Sequence, residues 1–259
     1  MKELKITLVQ TFLNWEDVDA NINHFNNVLH TLNNTDVIVL PEMFTTGFSM
    51  NTLKCAKDSY EKGLQFMHSL ASRKSSAICG SLMCEEKGKY YNRLVWVQPD
   101  GIVKYYNKRH LFTMGDEDKH YEKGIEQLTI EYKNWKIKPL ICYDLRFPVW
   151  SRSTASNSYD VLLYCANWPE KRSSAWTKLL QARAIENSCY VVGVNRIGED
   201  GNGYVYNGNS MVVDFKGEPE ILENREEVIR TFTLNKQALD EFRIQFPMQK
   251  DADDFKVMF

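Results

Sequence analysis

Helical and strand patterns alternate along the chain. A helix is predicted where apolar residues recur every three or four positions, namely Val18, Ile22, Phe25, Leu29 and Leu32. Similar spacing predicts helices over 60–74 and 174–187. Short apolar runs between the helices predict strands at 5–10, 37–40, 77–82, 94–98, 102–106, 137–142, 161–165, 191–195, 211–214 and 228–234. This alternation favours an α/β fold in which helices cover sheets.

Length and composition agree with one domain. The chain has 259 residues, of which 43% are hydrophobic and 25% charged, as expected of a globular protein. It contains no low-complexity linker, repeat or long charge block, so a single domain over 1–259 is expected. The end of the chain, from about 245 to 259, is polar and then aromatic, which is compatible with an exchanged arm.

Charge and cysteine usage exclude several function classes. The 32 basic and 34 acidic residues give a net charge of −2, which disfavours nucleic acid as a partner. No run reaches membrane-spanning length, and the N-terminus lacks a signal-type apolar segment. The six cysteines have no CxxC spacing and the five histidines no HxxxH spacing, so neither a disulfide framework nor a metal site is expected. Reduced thiols indicate a cytoplasmic protein.

Three chemically capable side chains each follow a predicted strand. Cys142 ends the apolar run 138–141, Glu42 follows Pro41 after the run 37–40, and Lys108 follows the strand 102–106. A cysteine in such a place is either a buried structural residue or a nucleophile, and the two charged residues are either solvated or catalytic. Because open α/β folds build their sites at the carboxyl ends of strands, their joint occurrence favours catalysis.

The sequence motifs around these residues resemble those of the nitrilase, or carbon–nitrogen hydrolase, superfamily. They read LPEMFTTGF at Glu42, KRHLF at Lys108 and ICYDLRFP at Cys142, followed by CANWP, QARAIEN and GVNRIG. The resemblance is closest to the omega-amidase branch, and it spans most of the chain. It implies a four-layer αββα sandwich, which periodicity alone does not distinguish from other α/β folds.

The resemblance implies a role for each member of the triad. Cys142 would be the nucleophile, Glu42 the general base and acid, and Lys108, with the backbone N–H of Tyr143, the partner of the oxyanion. A second carboxylate is usual near the lysine, and Glu117 occupies the matching interval. The alternative for Glu117 is an exposed acidic loop shared with Asp116 and Asp118.

Four further residues are candidates for binding substrate. Arg146 either faces a substrate carboxylate or closes an ion pair with Asp144, and Arg172 is a second candidate anchor unless it is solvated. Trp168 is either an apolar wall or core packing, and Phe48 either covers the pocket or plugs a buried loop. Arg183 and Glu186 are expected to pair on a helix face. The turn at 201–203 lacks the strand-to-helix context of a phosphate loop.

The function implied is a cysteine-dependent amidase. It would hydrolyse the terminal amide of a small 2-oxo acid, such as 2-oxoglutaramate, 2-oxosuccinamate or the methionine-derived analogue, through a thioester, with water as co-substrate and no cofactor. A nitrilase, an N-carbamoyl amino acid hydrolase and a deaminated-glutathione amidase share the triad. A non-catalytic binding module and a zinc protein are disfavoured, by the intact triad and by ligand spacing respectively. The resemblance also implies a homodimer or larger homo-oligomer.

Overall fold

Strands form most of the framework of the chain, and the computed structural model describes residues 2–154, 157–253, 255 and 257. In chain order the strands are β1 (Glu3–Gln10), β2 (Val37–Val39), β3 (Ala77–Glu86), β4 (Lys89–Val97), β5 (Val103–Asn107), β6 (Ile130–Tyr132), β7 (Trp135–Ile141), β8 (Val161–Ala166), β9 (Tyr190–Asn195), β10 (Ile197–Glu199), β11 (Val205–Asn207), β12 (Met211–Val213), β13 (Pro219–Ile221) and β14 (Val228–Asn235).

Helices connect or cap these strands. They are α1 (Val18–Val28), α2 (Thr52–Lys74), α3 (Glu117–His120), α4 (Pro148–Ser151), α5 (Ser173–Asn187) and α6 (Lys236–Gln245). Short 3₁₀ turns lie at 113–115, 142–146, 170–172 and 248–251. No helix in the described part of the chain is long and apolar enough to cross a membrane.

The strands form two six-stranded mixed sheets. The first has the order β14-β1-β2-β3-β4-β5 and the second β13-β12-β9-β8-β7-β6. Each sheet has three parallel strands at its centre (β1–β3 and β7–β9) and antiparallel pairs outside them. Parallel strands place their carboxyl ends at one edge, so the segments after β2 and after β7 both emerge where a site can form.

Alternation along the first sheet separates two cores. Leu4, Ile6 and Leu8 of β1 point into the large core that the two sheets share, whereas Val9 points into a second core against α1 and α2. Strands β2, β3 and β4 alternate in the same way. Because side chains of a strand point alternately to its two faces, every central strand is apolar on both. Helix α5 joins the core of the second sheet, which completes the expected αββα layers.

The sequence located most central strands but missed several short elements. Helix α2 begins at Thr52, eight residues before the predicted start, and helix α6 was not predicted. Strands β6, β10, β11 and β13 have three residues each and are not apolar throughout. The equally short β2 and β12 were predicted because they are continuous apolar runs. Strands β10 and β11 form a hairpin outside both sheets, here called the β10–β11 hairpin (Ile197–Asn207).

A buried lysine in the second sheet makes stability depend on pH. Lys138 of β7 has no exposed surface, and its ammonium donates to the backbone oxygen of Trp150 (2.9 Å) and to Gln127 Oε1 (3.0 Å). Neither partner carries a charge. Burial therefore lowers the pKa of Lys138 to about 8, against the opposing field of Asp144.

Replacing Lys138 with methionine should remove this pH dependence. Below pH 8 both folded and unfolded wild type are protonated, so the cost of burying the charge is fully present. Between pH 8 and about 10.4 the unfolded chain binds the extra proton, and the free energy of unfolding of wild type should rise relative to Lys138→Met, by up to about 3 kcal/mol. Urea unfolding of both proteins at pH 7 and 9.5 measures the difference. A constant gap between them would contradict the assignment.

Candidate active site

Glu42 lies three residues past Val39, the last residue of β2, and its carboxylate is fully buried. Oε1 accepts hydrogen bonds from Lys108 Nζ (2.8 Å) and Asn92 Nδ2 (2.8 Å), and Oε2 accepts one from the Asn167 backbone N–H (2.8 Å). The Asn167 side chain donates to the Glu42 carbonyl oxygen (2.7 Å). These partners come from both sheets, so Glu42 joins the two halves of the sandwich.

Lys108, just past β5, lies between two buried carboxylates. Its ammonium is 2.8 Å from Glu42 Oε1 and 2.9 Å from both oxygens of Glu117. Burial disfavours the charged lysine, but Glu117 and Glu42 outweigh it and raise the pKa of Lys108 above its ordinary value. Burial also raises the pKa of Glu117, against the lowering effect of Lys108. At neutral pH the lysine remains an ammonium that can face developing negative charge.

Glu117 is not part of an exposed acidic loop. It begins the short helix α3 and is fully buried, and its Oε2 accepts a hydrogen bond from the Phe112 backbone N–H (2.6 Å). Its neighbours Asp116 and Asp118 are both exposed. The chain therefore turns one of three consecutive acids inward, towards Lys108.

Asn92, in β4, is a site residue that the sequence analysis missed. Its Nδ2 donates to Glu42 Oε1 (2.8 Å) and Glu117 Oε1 (3.0 Å), while Ser81 Oγ donates to its Oδ1 (2.9 Å). Its backbone carbonyl accepts from the Lys108 N–H (2.9 Å). Asn92 precedes Arg93 and the apolar run 94–97 of β4, and no motif in the sequence marks it.

Cys142 begins the tight turn that follows β7, here called the Cys142 turn (Cys142–Arg146). Its φ of 39° is uncommon for a residue with a Cβ, and such a conformation is found in tight turns and at functional sites. The thiol is 3.8 Å from the Asn167 carbonyl oxygen. Burial, the charge of Glu42 and a hydrogen bond to Glu42 raise the pKa of Cys142 well above its usual range, although Lys108 opposes them. The resting thiol is therefore protonated, with a carboxylate beside it.

A cavity opens from the triad to the surface. It is lined by Phe48, Met50, Lys108, Phe112, Gly115, Cys142, Tyr143, Arg146, Asn167, Trp168, Pro169, Arg172, Asn202, Tyr204 and Tyr206. The ring centroid of Phe48 lies 5.2 Å from Lys108 Nζ, and the same side chain packs against the buried cluster that contains Met43, so both alternatives for Phe48 hold. Trp168 serves both alternatives, since its indole lines the cavity and also packs 5.5 Å from Trp176 in the core.

The two candidate arginines lie on the cavity wall, each against an aromatic ring. The Arg146 guanidinium is 4.8 Å from the Trp168 ring and that of Arg172 is 5.3 Å from the Phe112 ring. Both side chains are half-buried. Asp144 does not pair with Arg146 as the alternative required; its carboxylate instead accepts from Tyr106 and His110. The Arg183–Glu186 pair forms as expected, at 3.0 Å.

The β10–β11 hairpin contributes a further part of the cavity wall that the sequence analysis assigned no role. Asn202, Tyr204 and Tyr206 line the cavity. The Asp200 carboxylate shapes this loop by accepting from the backbone N–H groups of Asn202 (2.9 Å) and Tyr204 (3.0 Å). No group of three His, Cys, Asp or Glu residues that could hold a metal ion occurs among the described residues.

A buried thiol, carboxylate and ammonium at the exit of an αββα sandwich define a class of hydrolase. Residues 5–241 match the family model of carbon–nitrogen hydrolases, and the chain belongs to that family. It is accordingly an enzyme that hydrolyses carbon–nitrogen bonds.

Individual relatives narrow the comparison. The chain is 45% identical to omega-amidase YafV of Escherichia coli K12, over 99% of this chain and all of the relative. It is 33% identical to 2-oxoglutaramate amidase of Bacillus subtilis, over 83% of this chain and 84% of the relative. Its structure superposes on XC1258 of Xanthomonas campestris, a CN-hydrolase superfamily protein with an arsenic adduct in its active site. That TM-score is 0.96, with 41% identity over the full length of both chains.

Glu117→Gln should lower kcat strongly because it removes one of the two charges that hold Lys108 while keeping the side chain's shape. The loss expected is about 10²-fold, the size of a lost oxyanion partner. Asp116→Asn and Asp118→Asn, which change exposed acids on either side, are matched controls and should retain wild-type kcat. Steady-state ammonia release measures all three. Equal losses in the three variants would mean that only the charge of the segment matters.

Proposed function

We propose that this protein is an omega-amidase that converts the terminal amide of a small 2-oxo acid, with 2-oxoglutaramate as the first candidate, into the carboxylate and ammonia. The observation that carries the proposal is a buried Glu42–Lys108–Glu117 cluster beside Cys142, at the bottom of a cavity with two arginines on its wall. The names of the relatives at 45% and 33% identity support the same substrate class.

The first half of the reaction forms a thioester. The thiol proton of Cys142 passes to Glu42 as Sγ attacks the amide carbon, so no free thiolate is needed at rest. Lys108 and the Tyr143 N–H receive the charge that develops on the carbonyl oxygen. When the tetrahedral intermediate collapses, the C–N bond breaks and Glu42 returns its proton to the departing nitrogen, which leaves as ammonia.

The second half restores the enzyme. Glu42 takes a proton from a water molecule, whose oxygen attacks the thioester carbon. The C–S bond then breaks, and the proton held by Glu42 returns to the Cys142 sulfur. The product leaves with a new carboxyl group, which loses its remaining proton to solvent. Glu117 keeps Lys108 charged and in place through both halves. Asn92 fixes the positions of the Glu42 and Glu117 carboxylates by donating a hydrogen bond to each of them.

Substrate selection follows from the charges around the cavity. Arg146 and Arg172 favour a carboxylate at the end of the substrate remote from the amide. Among the described residues that line the cavity no carboxylate is present, and Glu42 and Glu117 behind it are both bound to Lys108. A substrate with an ammonium group beside its carboxylate, such as glutamine, would find no partner for that charge. A 2-oxo group carries no such penalty.

The decisive experiment incubates the protein with 2-oxoglutaramate and measures ammonia. Wild type should release it, and Cys142→Ala should be inactive because the nucleophile is gone. Cys189→Ala is the matched control, since Cys189 is a buried thiol at the start of β9, away from the cavity. Absence of ammonia with wild type, or its release by Cys142→Ala, would refute the proposal.

Arg146→Leu and Arg172→Leu test the carboxylate subsite. Loss of a charged partner should lower kcat/KM for 2-oxoglutaramate by about 10–100-fold, mainly through KM. A neutral amide of similar length, pentanamide, is the internal control and should be hydrolysed equally by wild type and variants. Wild type should also prefer 2-oxoglutaramate to glutamine by a wide margin. If both arginine variants lost activity towards pentanamide as strongly, their role would lie outside carboxylate binding.

We further propose that residues 1–259 act as one domain, in the cytoplasm and as a homodimer or larger assembly. Val149, Ile185 and Phe246 are among the apolar side chains that are more than half exposed, and burying such side chains favours association. Sedimentation equilibrium would give the mass in solution. The six free cysteines agree with a reducing compartment.

A further inference from the structure

A buried hydroxyl connects the segment that carries Lys108 with the turn that carries Cys142. Tyr106, in β5, is almost fully buried and donates its O–H to Asp144 Oδ2 (2.7 Å). The same oxygen accepts from the Arg109 backbone N–H (3.1 Å) and from Trp150 Nε1 (2.9 Å). Burial raises the pKa of Tyr106 well above its ordinary value, so the hydroxyl remains a donor.

Asp144 collects donors from both segments. Its Oδ2 also accepts from the Ile141 N–H (3.1 Å), which shapes the Cys142 turn from within. Its Oδ1 accepts from the His110 backbone N–H (3.0 Å) and from His110 Nδ1 (2.8 Å). The His110 ring stacks on Phe147 with centroids 3.8 Å apart. The Asp144 carboxylate therefore accepts four hydrogen bonds, all from the segment 106–110 or from the N–H that precedes the Cys142 turn.

These hydrogen bonds are made by residues that are close to Lys108 and Cys142 along the chain. Two consecutive N–H groups after Lys108, those of Arg109 and His110, are held by Tyr106 and Asp144. Asp144 itself lies two residues after Cys142. Before Lys108 the chain is fixed by β5, which belongs to the first sheet, whereas Cys142 follows β7 of the second sheet. The distance between lysine and sulfur thus depends on a bond that crosses from one sheet to the other.

We propose that Tyr106, with Asp144 and His110, is a positioning network that sets Lys108 relative to the Cys142 sulfur and thereby determines kcat. None of the three lines the cavity, so their contribution reaches substrate only through Lys108 and the Cys142 turn. The choice of substrate in the tests below rests on the proposed function, whereas the hydrogen-bond geometry of the network does not. A displacement of about 1 Å at reacting groups can cost about 10²-fold in rate.

Tyr106→Phe tests the network against a matched control. Tyr190, the first residue of β9, is also buried, and Tyr190→Phe deletes a hydroxyl that bonds the main chain of Asn235 at the end of β14. Tyr106→Phe should lower kcat for 2-oxoglutaramate by about 10–100-fold with KM within about threefold of wild type. Tyr190→Phe should keep both constants. Circular dichroism at the assay temperature checks that both variants are folded.

A second readout does not depend on the substrate. The rate at which iodoacetamide alkylates Cys142 at pH 7.5 depends on the nearby positive charge of Lys108. This rate should fall several-fold in Tyr106→Phe and stay unchanged in Tyr190→Phe. If wild type released no ammonia while alkylation still slowed in Tyr106→Phe, the substrate would be wrong and the network right. Equal kcat and equal alkylation in the two variants would overturn the network.

His110 supplies a rescue test should Tyr106→Phe fail to fold. Asparagine can present an N–H near the position of Nδ1, whereas leucine keeps apolar contact with Phe147 but donates nothing. His110→Asn should therefore retain most of kcat, and His110→Leu should lose about tenfold with KM preserved. If leucine served as well as asparagine, packing rather than the hydrogen bond to Asp144 would be responsible, and the inference would fail.

Discussion

The structure depends on one interaction, the burial of the Lys108 ammonium between the carboxylates of Glu42 and Glu117. Removing three charges from water costs several kcal/mol for each ion, and attraction offsets this only when every remaining lone pair has a partner. Asn92, the Phe112 N–H and the Asn167 N–H supply those partners. They come from both sheets, so the cluster forms only when the sandwich closes correctly. The fold thus supplies the geometry that makes the cluster tolerable.

The same cluster explains how a protonated thiol can act as a nucleophile. Burial and the negative charge of Glu42 raise the pKa of Cys142 against the opposing charge of Lys108, so a stable thiolate is disfavoured at rest. In the proposed reaction, one proton moves from the Cys142 sulfur to Glu42, and negative charge develops on the substrate oxygen, which Lys108 can stabilise. The arrangement therefore favours the transition state more than the ionised resting enzyme, as differential binding requires.

Sequence patterns predicted the parts of this protein that are governed by local rules. The strands that precede Glu42, Lys108 and Cys142 were visible as apolar runs, and their ends placed the three side chains at one edge. The partners of these residues were not visible. Asn92 carries no motif, and the bond from Tyr106 of β5 to Asp144 of the Cys142 turn joins residues 38 positions apart. Of the two alternatives for Arg146, the pair with Asp144 is wrong, because Asp144 bonds Tyr106 while Arg146 lines the cavity.

Negative charge lies at the bottom of this site and positive charge on the cavity wall. This arrangement affects both the proposed reaction and the choice of substrate. In the buried cluster the Lys108 ammonium is bound to the carboxylates of Glu42 and Glu117. The described cavity wall carries two arginines and no carboxylate. An anionic amide would be attracted by the wall, and its neutral end would enter the acidic interior without repulsion. If the substrate entered with its carboxylate first, that carboxylate would be repelled by the carboxylate of Glu42. Orientation would therefore follow from electrostatics before any shape complementarity is needed, since like charges in a buried site repel strongly.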